Sequence, residues 1–169
     1  MSVSLLTGYS ETKAATEEPT QSAEQETAET REITDMAGRK VTVPTAENIE
    51  SVFSAGPVAA IFLYMVAPDK LLGWNYELND VEKSIILDKY QDLPNFGMGD
   101  AVNYEAVIAA NPTIAINSGK INDAMVSDCD ALSESLGIPV VAVDNELNNS
   151  AEAFRFMGEL LGVEDHAEE

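Results

Sequence analysis

The chain has 169 residues, 45% of them hydrophobic, enough for one domain of ordinary size with a real core. Thirty acidic residues against nine basic ones give a net charge of −21, which excludes nucleic acid and anionic membrane as partners by repulsion. No apolar run approaches the roughly 18–20 residues of a membrane-inserted helix, and a single cysteine with a single histidine excludes an internal disulfide and argues against a metal or catalytic centre built on either.

Residues 1–31 read as a disordered acidic tether. "ETKAATEEPTQSAEQETAETRE" is rich in Thr, Glu, Ala and Gln and almost free of large apolar groups, so it cannot bury enough surface to offset its ordering entropy. Ahead of it, "LLTGY" resembles the cleavage box of a bacterial lipoprotein, with Tyr9 where the lipid-bearing cysteine would stand. The charged and apolar regions of a signal peptide are missing, and Tyr9 itself cannot be lipidated.

From Ile33 the pattern becomes regular. "EITDMAGRKVTVP" predicts a β-hairpin, turning at Met36-Ala37-Gly38 and ended by Pro44. "ESVFSAG" predicts a strand and "PVAAIFLYMVAP" a buried helix with Pro57 in its first turn. "KLLGWN" is expected as the next strand. "NDVEKSIILDKY" is expected as a helix, with Asn79 and Glu82 spaced as a capping box and Val81, Ile85 and Ile86 on one apolar face. "LPNFGMG" predicts a short strand, followed by a helix over 104–110 capped by Asn103, and a strand over 113–117 after Asn111-Pro112. "INDAMVSDCDALSESLG" predicts a helix ending at Gly137, with Cys129 as an ordinary helix thiol. "IPVVAVD" is the last strand, and a final helix starts at a Ser150 cap and stops at Gly162.

Strands alternating with helices predict an α/β fold: a doubly wound, mostly parallel sheet with helices on both faces, a Rossmann-like lobe preceded by the hairpin. In such a sheet the carboxyl ends of the strands meet at one rim, where ligands bind. The rim gathers Ser54 to Pro57, Trp74-Asn75-Tyr76, Phe96 to Gly99, Asn117-Ser118-Gly119 and Asp144-Asn145. Candidate ligand-binding residues are Gly56, Pro57, Trp74, Asn75, Tyr76, Phe96, Gly97, Met98, Gly99, Ser118 and Gly119. Trp74 and Tyr76 fit a core role as well as a ligand-stacking one. "FGMGD" lacks the third glycine and the lysine of phosphate-binding loops. A Ser-His-Asp arrangement is excluded because no histidine lies near the rim. The rim therefore reads as built to hold a ligand, with no catalytic residue, metal ligand or resident cofactor expected.

Three segments carry a family resemblance. "ITDMAGRKVTVP" resembles the opening Ile-x-Asp-x-x-Gly-Arg-x-Val-x-Val-Pro of solute-binding proteins from ABC importers of iron–siderophores, haem and cobalamin. "LPNFGMGDAVNYEAVIAANPTIAI" resembles that family's glycine-bearing loop, Asn-Leu-Glu helix start, Lys-Pro-Asp turn and apolar strand, with Tyr104 for the leucine and Ala110 to Thr113 for the Lys-Pro-Asp region. "LGIPVVAVD" and the helix after it resemble the family's Gly-Ile-Pro-Val strand and the approach to its long inter-lobe helix. The resemblance runs from about Glu32 to the end.

It implies a non-enzymatic, extracytoplasmic protein, normally lipid-anchored, that binds an iron- or cobalt-chelate between two lobes. Such a protein delivers its ligand to an ABC permease with its ATPase. Residues 32–162 would be the N-terminal lobe and 163–169 the start of the inter-lobe helix, with the C-terminal lobe outside the sequence. The resemblance places Glu105 at the permease-docking carboxylate and the 96–99 loop at the ligand. From the residues alone, Glu105 is equally a first-turn carboxylate favoured by the helix dipole. Two other classes compete. A chelatase-like enzyme on the same layer needs a base or metal ligand at the rim, where Asp144 is the only carboxylate. A single-lobe binding or adaptor domain of receiver type needs an acidic cluster after the first core strand, and "VFSAGP" has none.

Overall fold

The computed structural model describes residues 29–167, so the acidic tether and the Tyr9 box, apart from residues 29–31, lie outside the described residues. The hairpin is present: β1 (Thr30–Thr34) pairs antiparallel with β2 (Lys40–Pro44), with Ile33 opposite Val41. It begins before the expected boundary. Thr30 and Arg31 are strand residues, and the Arg31 guanidinium donates 2.9 Å hydrogen bonds to the carbonyls of Glu159 and Leu160.

The turn between β1 and β2 is held by one buried carboxylate. Asp35 Oδ1 accepts from the amides of Ala37 (3.1 Å) and Arg39 (2.9 Å), while Gly38 supplies the positive φ of 77° that the turn needs. Asp35 Oδ2 accepts from the Ala142 amide at 3.1 Å, and the Met36 amide donates to the Ala142 carbonyl at 3.2 Å. The hairpin turn is thereby stitched to β5 (Val140–Asp144), where it occupies hydrogen-bonding groups of an edge strand.

The main sheet is parallel, in the order β3 (Val52–Ser54), β4 (Ile114–Gly119), β5. Its period-2 alternation divides the side chains between two cores. Val52, Ile114, Ile116, Val141 and Val143 pack with α1 (Pro57–Val66) and α6 (Ser150–Leu161). Phe53, Ala115, Val140 and Ala142 pack with Val107 of α4 (Tyr104–Ala109) and with Met125, Cys129 and Leu136 of α5 (Asp123–Leu136). Helices thus cover both faces, and the expected α/β layer holds. The caps follow the sequence: Asn122 accepts from the Met125 amide at 3.0 Å, and Gly137 and Gly162 end α5 and α6 in the left-handed region. Residue 149 rather than Ser150 stands at the cap of α6, and the Ser150 hydroxyl donates to the Leu147 carbonyl instead.

Two expected strands are degraded to single bridges. "KLLGWN" contributes Leu71, bridged to Val52, and Trp74, bridged to Asn95 in "LPNFGMG". Pro94 has no amide to donate, and Gly73 packs so tightly that a Cβ there would lie 2.3 Å from the Pro94 carbonyl oxygen. The helix expected over 79–90 splits into α2 (Asp80–Lys83) and α3 (Asp88–Gln91). Its capping box forms, with Asn79 accepting from the amides of Val81 and Glu82 and Glu82 accepting from the Asn79 amide. The apolar face does not form, for Val81 and Ile85 are 69% and 75% exposed. With no packing surface to reward continuation, the helix ends after one turn. The Gln91 side chain closes the break by donating to the carbonyls of Lys83 and Ile86.

Candidate functional site

Counting the bridges, the strand segments lie across the sheet in the order Asn95, Leu71–Trp74, β3, β4, β5. The chain order runs one way up to β3 and the other way from β4, so the order reverses between these two strands. That reversal is where an open α/β sheet leaves a crevice beyond its carboxyl ends. Ala55 follows β3 there, its amide donating to the Ile116 carbonyl at 2.9 Å. Across the crevice stand Asn117, Ser118 and Gly119 at the end of β4, all half-buried. A groove of about 400 Å³ opens at this point between α4 and α5, walled by Ala55, Asn117, Tyr104 and Leu132.

The candidate residues separate into a framework and an open rim. Trp74 belongs to the framework. It is 3% exposed, its indole N–H donates to the Tyr90 carbonyl at 2.8 Å, and its ring lies 5.7 Å from that of Tyr64. This corrects its placement on the rim: two tyrosines from α1 and α3 draw the ring into the core. Phe96 is buried too, edge-on to Phe53 at 5.9 Å. Asn75 is buried and acts as a clamp, its Nδ2 donating to the carbonyls of Ser54 (3.0 Å) and Gly97 (3.2 Å), and its Oδ1 accepting from the Ser54 hydroxyl at 3.0 Å. Asn75 therefore ties the end of β3 to the 96–99 loop without offering polar atoms to a ligand.

The open rim consists of the groups this framework holds. Gly56 caps α1 with no side chain, and Pro57 occupies the first helical position. The loop after Phe96 turns through Gly97 at φ 80° and Gly99 at φ 56°, and closes with the Asn103 amide donating to the Phe96 carbonyl at 2.8 Å. A Cβ on Gly97 would meet the Ala101 carbonyl oxygen at 2.3 Å. Between the two glycines Met98 projects into solvent, 51% exposed. Tyr76 is half-buried, with its hydroxyl donating to Glu82 at 2.8 Å; burial first, then that carboxylate, push its pKa up. Asn103 caps α4 by accepting from the Ala106 amide at 3.0 Å, and Glu105 sits exposed in the first turn.

The one carboxylate that a chelatase-like reading places at the rim is otherwise engaged. Asp144 accepts from the Glu146 amide (2.8 Å) and the Asn149 side-chain amide (2.6 Å) and so caps the turn into α6. Cys129 is fully buried with its sulfur 3.7 Å from that of Met125, and burial pushes its thiol pKa up. Among the described residues, no group of three or more His, Cys, Asp or Glu side chains is arranged to hold a metal, and no helix is long and apolar enough to cross a membrane. Sequence reasoning missed the crevice roles of Tyr104 and Leu132, and above all Asp35. The signal for Asp35 lay in the Asp-x-x-Gly-Arg spacing of a side-chain-capped turn.

No protein-family model and no curated protein sequence matches this chain. Solved structures do. An ABC transporter solute binding protein from Sulfurospirillum deleyianum superposes with a TM-score of 0.67 at 22% identity, over 81% of this chain and 44% of its own. Staphylococcus aureus SirA, complexed with staphyloferrin B, gives 0.58 at 22% identity, over 82% and 44%. The molybdate periplasmic binding protein MolA of Haemophilus influenzae, bound to molybdate, gives 0.58 at 18%, over 82% and 48%. The chain thus spans less than half the length of these proteins, and it has the fold of one lobe of an ABC-transporter solute-binding protein.

Proposed function

We propose that the chain is the N-terminal lobe of the substrate-binding component of an ABC importer. Its ligand is a metal chelate, with a ferric siderophore as the leading class and haem or a corrinoid as the others. The chelate is held between this lobe and a second one, without catalysis, and delivered to a permease driven by its ATPase. Residues 163–169 begin the helix that joins the lobes, and the whole protein works outside the cytoplasmic membrane. The observation that carries this reading is the reversal of strand order between β3 and β4, with a glycine-shaped loop beside it at the same rim. The ligand-contacting groups are Gly56, Pro57, Tyr76, Gly97, Met98, Gly99, Ser118 and Gly119. Glu105 is the docking carboxylate: it is exposed and forms no ion pair among the described residues, and it stands at a helix start in a stretch, residues 90–119, that holds no Lys, Arg or His.

Titrating the ¹⁵N-labelled protein with haem, cobalamin and ferric siderophores tests the ligand. Binding of one of these, with amide shifts concentrated at Gly56, Gly97 to Gly99, Ser118 and Gly119, is the expected result. Shifts confined to surfaces away from this rim refute the site. For Glu105, exchange to Gln in a two-lobed parent should leave chelate binding intact and lower transport, because truncating one partner of a desolvated charge pair costs about 2–5 kcal/mol at an interface.

A further inference from the structure

The segments that end at the rim are Ser54 to Pro57, Trp74 to Glu77, Phe96 to Asp100, Asn117 to Lys120 and Asp144 to Leu147. Their charged residues are the carboxylates Glu77, Asp100, Asp144 and Glu146 and a single base, Lys120. Lys120 directly follows Gly119, the last residue of β4. The ladder between β4 and β5 runs up to this lip, where the Asn145 amide donates to the Gly119 carbonyl at 3.2 Å. The backbone that bears Lys120 is therefore fixed beside the half-buried Ser118 and Gly119. The other cations among the described residues lie elsewhere. Arg31, Arg39, Lys40, Lys70 and Lys89 are bonded to carbonyls or carboxylates outside these segments. Lys83 lines a groove at the outer edge of the sheet with Gln91 and Asn95, and Arg155 lies on α6.

The Lys120 side chain is held loosely. Its Nζ lies 3.7 Å from Glu146 Oε1, too far for a hydrogen bond, whereas the other ion pairs among the described residues span 2.7–3.2 Å. The two side chains are 72% and 50% exposed. A pair so open to water contributes little, so exchanging Glu146 for another carboxylate costs little. Asp144, the other acid of this loop, is turned inward: it is buried and accepts from the Glu146 amide and the Asn149 side chain.

We propose that Lys120 sets the charge of the ligand, which is a chelate bearing a carboxylate or similar anionic group at its periphery. That group takes the place of Glu146 on the ammonium. The inference rests on the rim being the ligand site. Without Lys120 every charge on the rim segments is negative, and in a chain of net charge −21 such a rim turns an anion away. With the ammonium moved onto the ligand, the rim accepts an anion at one lip, beside Ser118, and Glu146 is left to solvent. The lysine thus selects the ligand's sign and fixes which end of it lies over β4. An ammonium with three rotatable donors does this for a carboxylate of any approach geometry.

Two pairs of probes test this on the chain as it stands. One is ferrioxamine B with its free amine either acetylated or succinylated, and the other is cyanocobalamin with or without one side-chain amide hydrolysed to the acid. Within each pair the core is the same and only the charge of the tail differs. Titration calorimetry gives the ratio of affinities, and ¹⁵N amide shifts at Gly97 to Gly99 locate the bound core. The anionic member should bind about fivefold more tightly, the upper end of what an exposed ion pair contributes. That preference should shrink in 1 M salt, where the Debye length is about 3 Å. Lys120→Gln should abolish the preference and leave the neutral member's affinity unchanged, while Glu146→Gln should increase it by removing the competitor. Opposite signs separate this role from a structural one, in which losing either partner acts alike, and neither change should move the melting temperature. Lys40→Gln and Glu32→Gln, from an exposed pair outside the rim, make the same changes in net charge and should leave the ratio as in the parent. Equal affinities within each pair, a preference that survives in Lys120→Gln, or the same loss in Lys40→Gln overturns the proposal and leaves the rim as the ligand site. No binding by any of the four, with the Gly97 to Gly99 amides unmoved, overturns the rim as the ligand site and the proposal with it.

Discussion

Replacing Asn75 with alanine is the sharpest test of how the rim is held. The side chain is buried and makes three hydrogen bonds, to the Ser54 hydroxyl and to the carbonyls of Ser54 and Gly97. At a net contribution of about 1 kcal/mol each, their loss sums to roughly 3 kcal/mol. For a domain of this length that shift lowers the melting temperature by roughly 6–12 °C. Urea unfolding measures the free energy, and amide spectra of the folded state locate the damage. The amides of Gly97 to Gly99 should move or broaden, because the Gly97 carbonyl is the contact that ties their loop to β3. Asn75→Asp should be worse at neutral pH, since it replaces the donor facing two carbonyl oxygens with an acceptor and buries a charge with no cation beside it. A loss below about 1 kcal/mol with undisturbed Gly97–Gly99 amides would show that the asparagine is not the clamp.

Further outcomes follow from the same geometry. Trp74→Ala should lose about 3–5 kcal/mol in urea unfolding, as a large buried aromatic does, while the fraction still folded binds chelate as the parent does; weakened binding with intact stability returns Trp74 to the rim. Gly97→Ala should destabilise by at least about 1–2 kcal/mol, from its positive φ alone, with the clash against the Ala101 carbonyl adding to it. Tyr76 has its pKa raised above 10.0, so the protonated phenol is the form the fold favours. Its contribution is complete below pH 10 and lost as pH rises through the folded-state value, and Tyr76→Phe should flatten that part of the stability–pH curve in calorimetric melts between pH 9 and 11.

Most of the layer was legible because its signals are local. Pro57 at a first turn, Asn122 and Gly137 around an amphipathic helix, and the β-branched run of β5 each specify their element from neighbouring residues alone. Apart from the Asn79–Glu82 capping box, the segment from Leu71 to Gly97 was not legible, and the reasons are tertiary. Whether "KLLGWN" pairs as a strand depends on the approach of Pro94 to Gly73, more than twenty residues away in sequence. Whether Trp74 faces a ligand or the core depends on Tyr64 and Tyr90, and nothing beside Trp74 in the chain announces either. The apolar spacing of Val81, Ile85 and Ile86 was real, but of the three only Ile86 packs against the core, no surface among the described residues buries the other two, and periodicity without a partner does not sustain a helix.

The same distinction explains why the sequence pointed to a kind of protein and not to a ligand. In "ITDMAGR", Asp35 bonds three amides, Gly38 provides the left-handed turn, and Arg39 pairs with Asp35 and Asp130 and donates to the Val140 carbonyl. Each residue of that resemblance fastens the hairpin to β5. In "LPNFGMGDAVNYE", Phe96 packs on Phe53, Gly97 permits a contact with the Ala101 carbonyl, and Asn103 caps a helix. Most residues that carry the resemblance therefore build the framework under the rim, while Met98 and Tyr104 within it are exposed and take part in none of these contacts. If this rim is the ligand site proposed above, its ligand can change by the exchange of a few exposed side chains without touching the clamp beneath. Staphyloferrin B and molybdate, bound by two proteins of this fold, are chemically unlike each other, as such a division of labour allows.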